Sequence, residues 1–494
     1  MSAQQALNTN VLVVGSGAVG VAASIEAREA GASVLVIEQA DHLGGAAAIS
    51  GGGCCLADTP LQRQNGIEDS TDLAFDDWIR FGGGSADEVW ARFYLERSSE
   101  DLFEWAAARG VNWLGVNGNE GNTVARWHRP EGGGGGIWHA LHDTAVERGV
   151  DTWMTSTGAN ELIVDDGRVV GVRAGRGDSG GTIDIMADAV VMGTGGFASN
   201  LDMLHEHRPD LKQHRILEGS HVGAQGNGHR ILDKMGSITT HMDEVWFYVF
   251  AIPDHKDSKG RRGLVVRGVP DGIWVNAQGV RFHNEDLTGG ASGAPAVMSQ
   301  DPAFCWSILD STMTDGISVS DPQYYVPGTS RNDPEKVAKL IEESPSIVSA
   351  DTLEGLADQI GVPPGAFIES VSRYNSGVDQ GLETDPDFGR SLANRRMIER
   401  PPYFALNFVP LARKSFGGIK TNLRCQPLDK HYRPIPGVYA AGELAGMAGG
   451  HINGKNGLEG TMLGPSLFSG RVAGAWAAKE AGFGDGFTEV ADRD

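Results

Sequence analysis

The stretch Val11-Leu12-Val13-Val14-Gly15-Ser16-Gly17-Ala18-Val19-Gly20 decides how the chain begins to fold. Four apolar residues make a short buried strand, and the glycines turn it sharply. An Ala-rich helical stretch follows from Val21 through Ala30, then a second strand, Ser33 to Ile37, ending on Glu38. Each part has a physical job. Gly15 permits the tight turn, Gly17 lets a pyrophosphate touch backbone, and Gly20 lets the helix pack on the sheet. The helix N-terminus, opening at Ala18, faces the anionic phosphates. Glu38, about 20 residues after the motif opens, is placed to accept hydrogen bonds from a ribose, with Gln39 beside it. A Gly-x-Gly-x-x-Gly run alone is weak. Strand, turn, helix, strand and acid in this order predict a dinucleotide site.

The other end of the chain carries Pro436-Gly437-Val438-Tyr439-Ala440-Ala441-Gly442-Glu443, a strand ending on glycine and an acid. A carboxylate there can hydrogen-bond the ribityl hydroxyls of a flavin, which favours FAD over NAD; the bland alternative is an ordinary exit from strand to loop. The two pieces lie more than 400 residues apart, so the nucleotide domain is interrupted by an insertion.

Bulk properties agree. The 494 residues suffice for two domains at roughly 100–200 residues each. The 70 glycines are about twice the usual share of ~7% and fall in clusters, as close backbone approach to a ligand requires. A net charge of −23 argues against nucleic acid, which needs a basic face. The four cysteines, Cys54, Cys55, Cys305 and Cys425, have no metal spacing; the vicinal pair reads as buried free thiols, with a strained disulfide as the alternative. No run of about 18 apolar residues exists, and the first strand begins too early for a signal peptide. A cytoplasmic protein without a membrane span is the expectation.

Further motifs accompany these: Leu43-Gly44-Gly45, Ser50-Gly51-Gly52, Arg126-Trp127-His128-Arg129-Pro130, Gly193-Thr194-Gly195-Gly196-Phe197, Gly226-Asn227-Gly228, Gly279 through Glu285, Gly417-Gly418-Ile419 and Gly470-Arg471-Val472-Ala473-Gly474. As a set covering nearly the whole chain, they resemble the flavoprotein family of soluble fumarate reductases and 3-ketosteroid dehydrogenases. The resemblance implies an α/β fold: a doubly wound, Rossmann-like (glutathione-reductase-like) FAD-binding domain interrupted by an α+β cap domain. Residues 1–248 and 413–494 form the first, with a hairpin at Arg168 to Val172, and 249–412 the cap, with helices at Pro334 to Glu343 and Pro364 to Tyr374. A terminal helix runs from Gly470 to Ala478. It implies FAD contacts from Gly15, Gly17, Ala18, Gly20, Glu38, Gln39, Gly44, Gly45, Ser50, Gly51, Gly52, Gly195, Gly442, Glu443, Pro465, Ser466 and Leu467, and no metal. Members with a covalent flavin carry a histidine where this chain reads Ala46-Ala47-Ala48, so a non-covalent FAD is expected.

The resemblance also implies a catalytic pattern from which this chain departs. Family members move a hydride between flavin N5 and the carbon β to a carbonyl, while an acid or base handles the α-proton. The arginine donor of fumarate reductases, or tyrosine base of steroid Δ1-dehydrogenases, falls at Gly289. The second substrate arginine falls at Gly457 in Asn456-Gly457-Leu458-Glu459-Gly460, and substrate histidines fall at Lys414 and Tyr248. Without either arginine a dicarboxylate binds poorly, because a desolvated, unpaired charge costs several kcal/mol; Lys455 supplies a point charge but no fork. A less charged ketone substrate is expected, with the run Trp246-Phe247-Tyr248-Val249-Phe250 against its ring or, blandly, packing the core. The candidates are Tyr248 as acid/base or donor to the carbonyl, the Gly460 amide as oxyanion donor helped by Asn456 and Lys455, and Tyr325, with Tyr324, against the reading of both as a surface turn beside Pro327-Gly328. His283 and His451 read as structural, and Asp286 as a base only if shielded.

The leading expectation is a dehydrogenase that desaturates the α,β carbons of a cyclic or steroid-like ketone. A reductase of an unsaturated carboxylate, suggested by Arg126 to Pro130, is the alternative. A third reading is an electron-transfer subunit working with a separate iron–sulfur or haem partner. The partners expected are a small-molecule substrate and a separate, unidentified electron acceptor.

Overall fold

The computed structural model describes residues 7–177, 180–269, 271–326 and 331–488; Pro327 and Gly328 lie outside them. The chain divides into two compact units. The first comprises Met1–His207, Ser220–Val245 and Lys414–Asp494, the second Arg208–Gly219 and Trp246–Arg413.

In the first unit, β1 (Leu7–Val14) leads into α1 (Ala18–Glu29) and β2 (Val34–Ile37). After α2 (Gly133–Glu147) come β3 (Trp153–Met154), β4 (Thr157–Asp165), β5 (Arg168–Arg176) and β6 (Thr182–Met192). Strand β7 (Val438–Ala440) and helix α3 (Leu463–Glu480) close the unit. The sheet order is β3-β2-β1-β6-β5-β4, with β7 alongside β6. Val11–Val14, Val34–Ile37 and Ala189–Met192 are all buried, as parallel strands covered on both faces must be.

Strand β6 organises this sheet by serving two neighbourhoods. Along its length it runs parallel to β1, from Leu7 opposite Ile185 to Val14 opposite Met192. Its first half pairs antiparallel with β5, and its last three residues pair parallel with β7. The chain's C-terminal motif thus reaches the same sheet edge as the N-terminal fingerprint. The β4–β5 hairpin closes on Asp166 and Gly167, both at positive φ (43° and 76°), as a two-residue turn matching strand twist demands.

Helix α3 begins at Leu463, seven residues before the expected Gly470. Gly464 and Pro465 read as breakers, yet in a first turn proline's missing N–H costs nothing. Its glycines set how closely it approaches α1. A Cβ at Gly470 would lie 2.8 Å from the Val19 Cα, and one at Gly474 only 2.3 Å from the Ala23 carbonyl oxygen. Among the described residues no helix is long and apolar enough to cross a membrane. All four cysteines are free and buried.

The second unit is built on an antiparallel sheet in the order Ile273–Val275, Cys305–Leu309, Tyr403–Phe408, Ile347–Ala350. Helix Pro334–Glu343 buries Val337 and Leu340, and Pro364–Asp379 runs five residues past Tyr374, burying Phe367, Val371 and Tyr374. Leu217–Glu218 also belongs to this unit, pairing parallel with Leu411–Ala412. The Gly279–Glu285 motif has a structural centre. Glu285 is buried and accepts from the Trp274 amide, from Nε and Nη2 of Arg281 and from Nη1 of Arg390.

Replacing Gly474 by valine forces a branched side chain into backbone that cannot yield. The expected result is a loss of about 3 kcal/mol, read as an earlier urea midpoint with an unchanged slope; an unaltered midpoint would show that α1 and α3 can separate without penalty.

Candidate functional site

The fingerprint turn is held from several directions by one residue. Ser16, fully buried, donates its amide (2.9 Å) and hydroxyl (2.7 Å) to Glu38 Oε2. The same hydroxyl accepts from the Gly44 amide (3.0 Å), and the Ser16 carbonyl accepts from Trp138 Nε1 on α2 (2.8 Å). Glu38 Oε1 accepts from the Ala40 amide (2.9 Å). Gly15 and Gly20 are obligatory. A Cβ at Gly15 (φ +100°) would lie 2.4 Å from the Gly193 oxygen, and one at Gly20 only 2.1 Å from the Gly15 oxygen. The first turn of α1, from Ala18, has no side-chain cap, so its N–H groups are offered outward. Gln39 closes the flank by donating to the Gly223 carbonyl (3.2 Å).

The structure gathers the remaining cofactor candidates around this turn. Gly44 and Gly45 (φ 112° and 50°) open the short helix Gly45–Ala48, and the Ser50 carbonyl accepts from the Gly134 amide (2.9 Å). Gly52 packs on Gly133 and Gly134 so tightly that a Cβ would fall 2.3 Å from their peptide. Gly442 lies against α1, its absent Cβ 2.5 Å from Val19 Cγ2, and its amide donates to Ser469 Oγ (3.1 Å). Glu443 Oε1 accepts from the Ser415 amide (3.0 Å) and hydroxyl (3.2 Å). Pro465, Ser466 and Leu467 occupy the first turn of α3, which again has no side-chain cap.

An FAD fits this arrangement. A Cβ at Gly51 or Gly195 would meet nothing within 4 Å, and one at Gly17 only the Gly44 oxygen at 3.8 Å. Those glycines therefore border open space, while the neighbouring ones are jammed. Two uncapped helix N-termini, two carboxylates and the buried, unpartnered Thr194 hydroxyl complete a polar cradle for a dinucleotide.

The loop 451–461 gives a different picture. The Gly460 oxygen accepts from the Cys55 amide (2.9 Å), Asn456 Nδ2 donates to the Phe81 carbonyl (3.3 Å), and Lys455 is exposed, its amide bonded to Gly82 and Ser85. At Gly457 a Cβ would lie 2.8 Å from Met462 Cε and 2.9 Å from Phe416 Cζ. The slot assigned to a substrate arginine is thus filled by apolar side chains. His451 is buried and stacked on His241, ring centroids 3.7 Å apart; desolvation, followed by the nearby His241 charge, pushes its pKa down to about 4.

Arg126 is structural. It is fully buried and ion-paired to Asp69 (2.7 Å) and Asp77 (2.5 Å), and the carbonyl of Arg126 bonds His128 Nδ1 (2.8 Å). The Thr59 hydroxyl meets His128 Nε2 at 2.6 Å, and burial holds His128 neutral, its pKa down to about 4. No donor of this motif's arginine is left over for a substrate carboxylate on the Asp69 and Asp77 sides.

In the second unit Asp286 is paired with Arg390 and Arg395, which removes it as a base. Tyr248 ends the strand Val245–Tyr248, stacked on Phe250 at 4.9 Å. Two guanidiniums lie over its ring, Arg267 at 5.5 Å and Arg413 at 5.6 Å. Tyr325 lies in reach of the same Arg413 charge, which opposes the upward push of burial on its phenol. Arg267 and Arg413 were not among the sequence candidates, because only the fold brings positions 248, 267 and 413 together. A cavity of about 540 Å³ lined by Arg215, His255, Trp306 and Asn407 contains none of the candidates. Among the described residues no acidic, His or Cys group is arranged to hold a metal.

Comparisons with known proteins accord with this geometry. Residues 10–463 match the family described as FAD binding domain. The chain is 32% identical over 476 residues to the fumarate reductase (cytochrome) of Shewanella frigidimarina, covering 95% of this chain and 77% of that one. The open conformation of a flavocytochrome c3 fumarate reductase superposes with a TM-score of 0.76 at 29% identity, covering 96% and 79% of the two chains. The 3-ketosteroid-Δ4-(5α)-dehydrogenase of Rhodococcus jostii RHA1, solved with 4-androstene-3,17-dione, superposes with a TM-score of 0.72 at 28% identity, covering 97% and 98%.

Two outcomes are expected. Ser16→Ala removes a hydrogen bond to a buried carboxylate and unties Gly44, so FAD should bind about tenfold more weakly, measured by recovery of free-flavin fluorescence on dilution; undiminished retention would deny Ser16 its organising role. The second concerns acid. His128, His229 and His451 are buried, with pKa values lowered from 6.5 to about 4, 3 and 4, chiefly by desolvation. Between pH 6.5 and 4 the unfolded chain takes up these protons and the folded one does not, so stability falls as pH drops through that window. Asp77, lowered to about 2, weakens the fold only below pH 3.8. Urea midpoints that stay flat from pH 7 to 4.5 would contradict this.

Proposed function

The chain belongs to the FAD-binding family of oxidoreductases acting on CH–CH groups, and from that premise we propose that it desaturates the α,β carbons of a cyclic or steroid-like ketone. The observation that carries this reading is Gly457. Where a carboxylate-clamping arginine would stand, Phe416 and Met462 close over a bare backbone. An arginine introduced there would have to displace both, and a dicarboxylate meeting that wall would lose its bidentate contact and pay full desolvation. A ring carbon skeleton meets it without cost.

FAD, when bound, would supply the acceptor for a hydride from the β-carbon, and it would be held without a covalent link since no histidine stands among Ala46-Ala47-Ala48. The chain's own residues do the rest. Tyr248 handles the proton or donates to the ketone oxygen, its ring fixed between Phe250 and the two guanidiniums. The Gly460 amide, with Asn456, stabilises charge developing on the enolate oxygen. Gly15, Gly17, Ala18, Gly20, Glu38 and Gln39 hold the adenosine and pyrophosphate, and Gly44, Gly45, Ser50 to Gly52, Gly195, Gly442, Glu443 and Pro465 to Leu467 hold the flavin end.

The reverse-direction reading, reduction of an unsaturated carboxylate, is supported by likeness to the fumarate reductases over nearly the whole chain. It asks Lys455 and Lys414 to replace a guanidinium fork with point charges, and Lys455 is exposed. An anaerobic titration separates the two. Oxidised enzyme should lose its visible flavin absorbance with a cyclic or steroidal 3-ketone and keep it with succinate. Tyr248→Phe should slow bleaching about 10²-fold or more while FAD content stays stoichiometric. Bleaching by succinate alone would reverse the assignment.

A further inference from the structure

We propose that the second unit carries, in its cavity of about 540 Å³, a site for a mononucleotide-like ligand, a flat heterocycle bearing a phosphate. Every residue lining this cavity belongs to that unit, and the inference stands whether or not the ketone reading holds.

The walls offer surfaces for a flat ring. Trp306 lies on the strand Cys305–Leu309, its indole set edge-on to Phe304 with ring centroids 6.2 Å apart at 90°. Pro253 and Pro345 add apolar surface that carries no N–H. Asn407 stands opposite Trp306 on the strand Tyr403–Phe408. Its backbone amide donates to the Ser346 carbonyl (2.8 Å), while its side-chain amide bonds none of the described residues. An indole can stack on a heterocycle, and a free carboxamide can both donate to its edge and accept from it. Trp306 Nε1 and His255 Nδ1 are buried with no partner among the described residues. A buried indole N–H ordinarily finds an acceptor, so this wall is short of acceptors, and an oxygen-rich ligand supplies what it lacks.

The charge is local and runs against that of the chain. At a net charge of −23 the protein is strongly acidic, yet the loop from Asp254 to Arg262 sets Lys256, Lys259, Arg261 and Arg262 against Asp254 and Asp257. Both acids line the cavity, and both are already committed. Asp254 accepts from the Lys256 amide and pairs with Arg262 at 3.3 Å. Asp257 accepts from the amides of Lys259, Arg261 and Arg262. Arg215, exposed where it lines the cavity, neither bonds nor pairs with any of the described residues, and the side chain of exposed Lys259 does not either. Separate point charges, rather than one fork, suit a phosphate. The volume falls within the range of small-molecule pockets, roughly 300–1,000 Å³, and inorganic phosphate would fill little of it. The anion therefore arrives with a body, and Trp306 and Asn407 provide for one.

The test is isothermal titration of the FAD-loaded enzyme with adenosine 5′-monophosphate, adenosine and inorganic phosphate, with free-flavin fluorescence read in parallel. The mononucleotide should bind at least about tenfold more tightly than either part alone. Arg215→Gln should weaken it about tenfold and leave adenosine unchanged, because only the charge is removed. Asn407→Ala should weaken the mononucleotide and adenosine together and leave phosphate unchanged. Arg215 is exposed and unpaired, so its variant decides the matter should Asn407→Ala fail to fold. No heat beyond dilution, a mononucleotide held no tighter than phosphate, or an affinity that neither variant moves overturns the proposal. Release of FAD during the titration overturns it too, because the binding would then belong to the flavin cradle.

Discussion

Ser16 meets three other parts of the nucleotide-binding unit through one amide, one hydroxyl and one carbonyl. Its contacts to Glu38, Gly44 and Trp138 join the fingerprint turn to the second strand, to the glycine loop and to the helix behind them. In a buried position each of these groups would be costly to leave unsatisfied, so the turn has one conformation in which all are met. That conformation aims the first turn of the following helix at the cradle. It also explains why the neighbouring residues are glycine. Backbone packed as closely as Gly15 on Gly193, or Gly20 on Gly15, leaves no volume for a side chain.

The same constraint separates two kinds of glycine, and only one concerns the ligand. Gly52, Gly442, Gly470 and Gly474 are small because protein presses on them. Gly51 and Gly195 lack a side chain although an added Cβ would meet nothing within 4 Å. At these positions the chain itself does not exclude a side chain, in contrast to the jammed glycines beside them.

What could be read from the sequence follows from range. The fingerprint was legible because strand, turn, helix and acid lie within 28 residues and each obeys a local rule. The hairpin at Asp165–Gly167 was legible for the same reason. The start of the terminal helix was not, since Gly464 and Pro465 obscure a first turn that tolerates both. The stretch Arg126 to Pro130 suggested the fumarate-reductase branch, but the burial of Arg126 between Asp69 and Asp77 was not legible, since those acids are distant in the chain and carry no motif. The aromatic run from Trp246 showed its burial plainly. It showed nothing of the two arginines over Tyr248, which arrive from 19 and 165 residues further along.

Those arginines alter what the loss of a charge implies. Counting residues at family positions leaves the substrate with no anionic anchor, and a neutral ketone seems to follow. Electrostatics, however, acts through space rather than through alignment. Arg267 and Arg413 lie over the Tyr248 ring although no spacing in the sequence links the three positions. Within the first unit, the bare backbone of Gly457 is matched by Phe416 and Met462, which a Cβ there would meet at 2.9 and 2.8 Å.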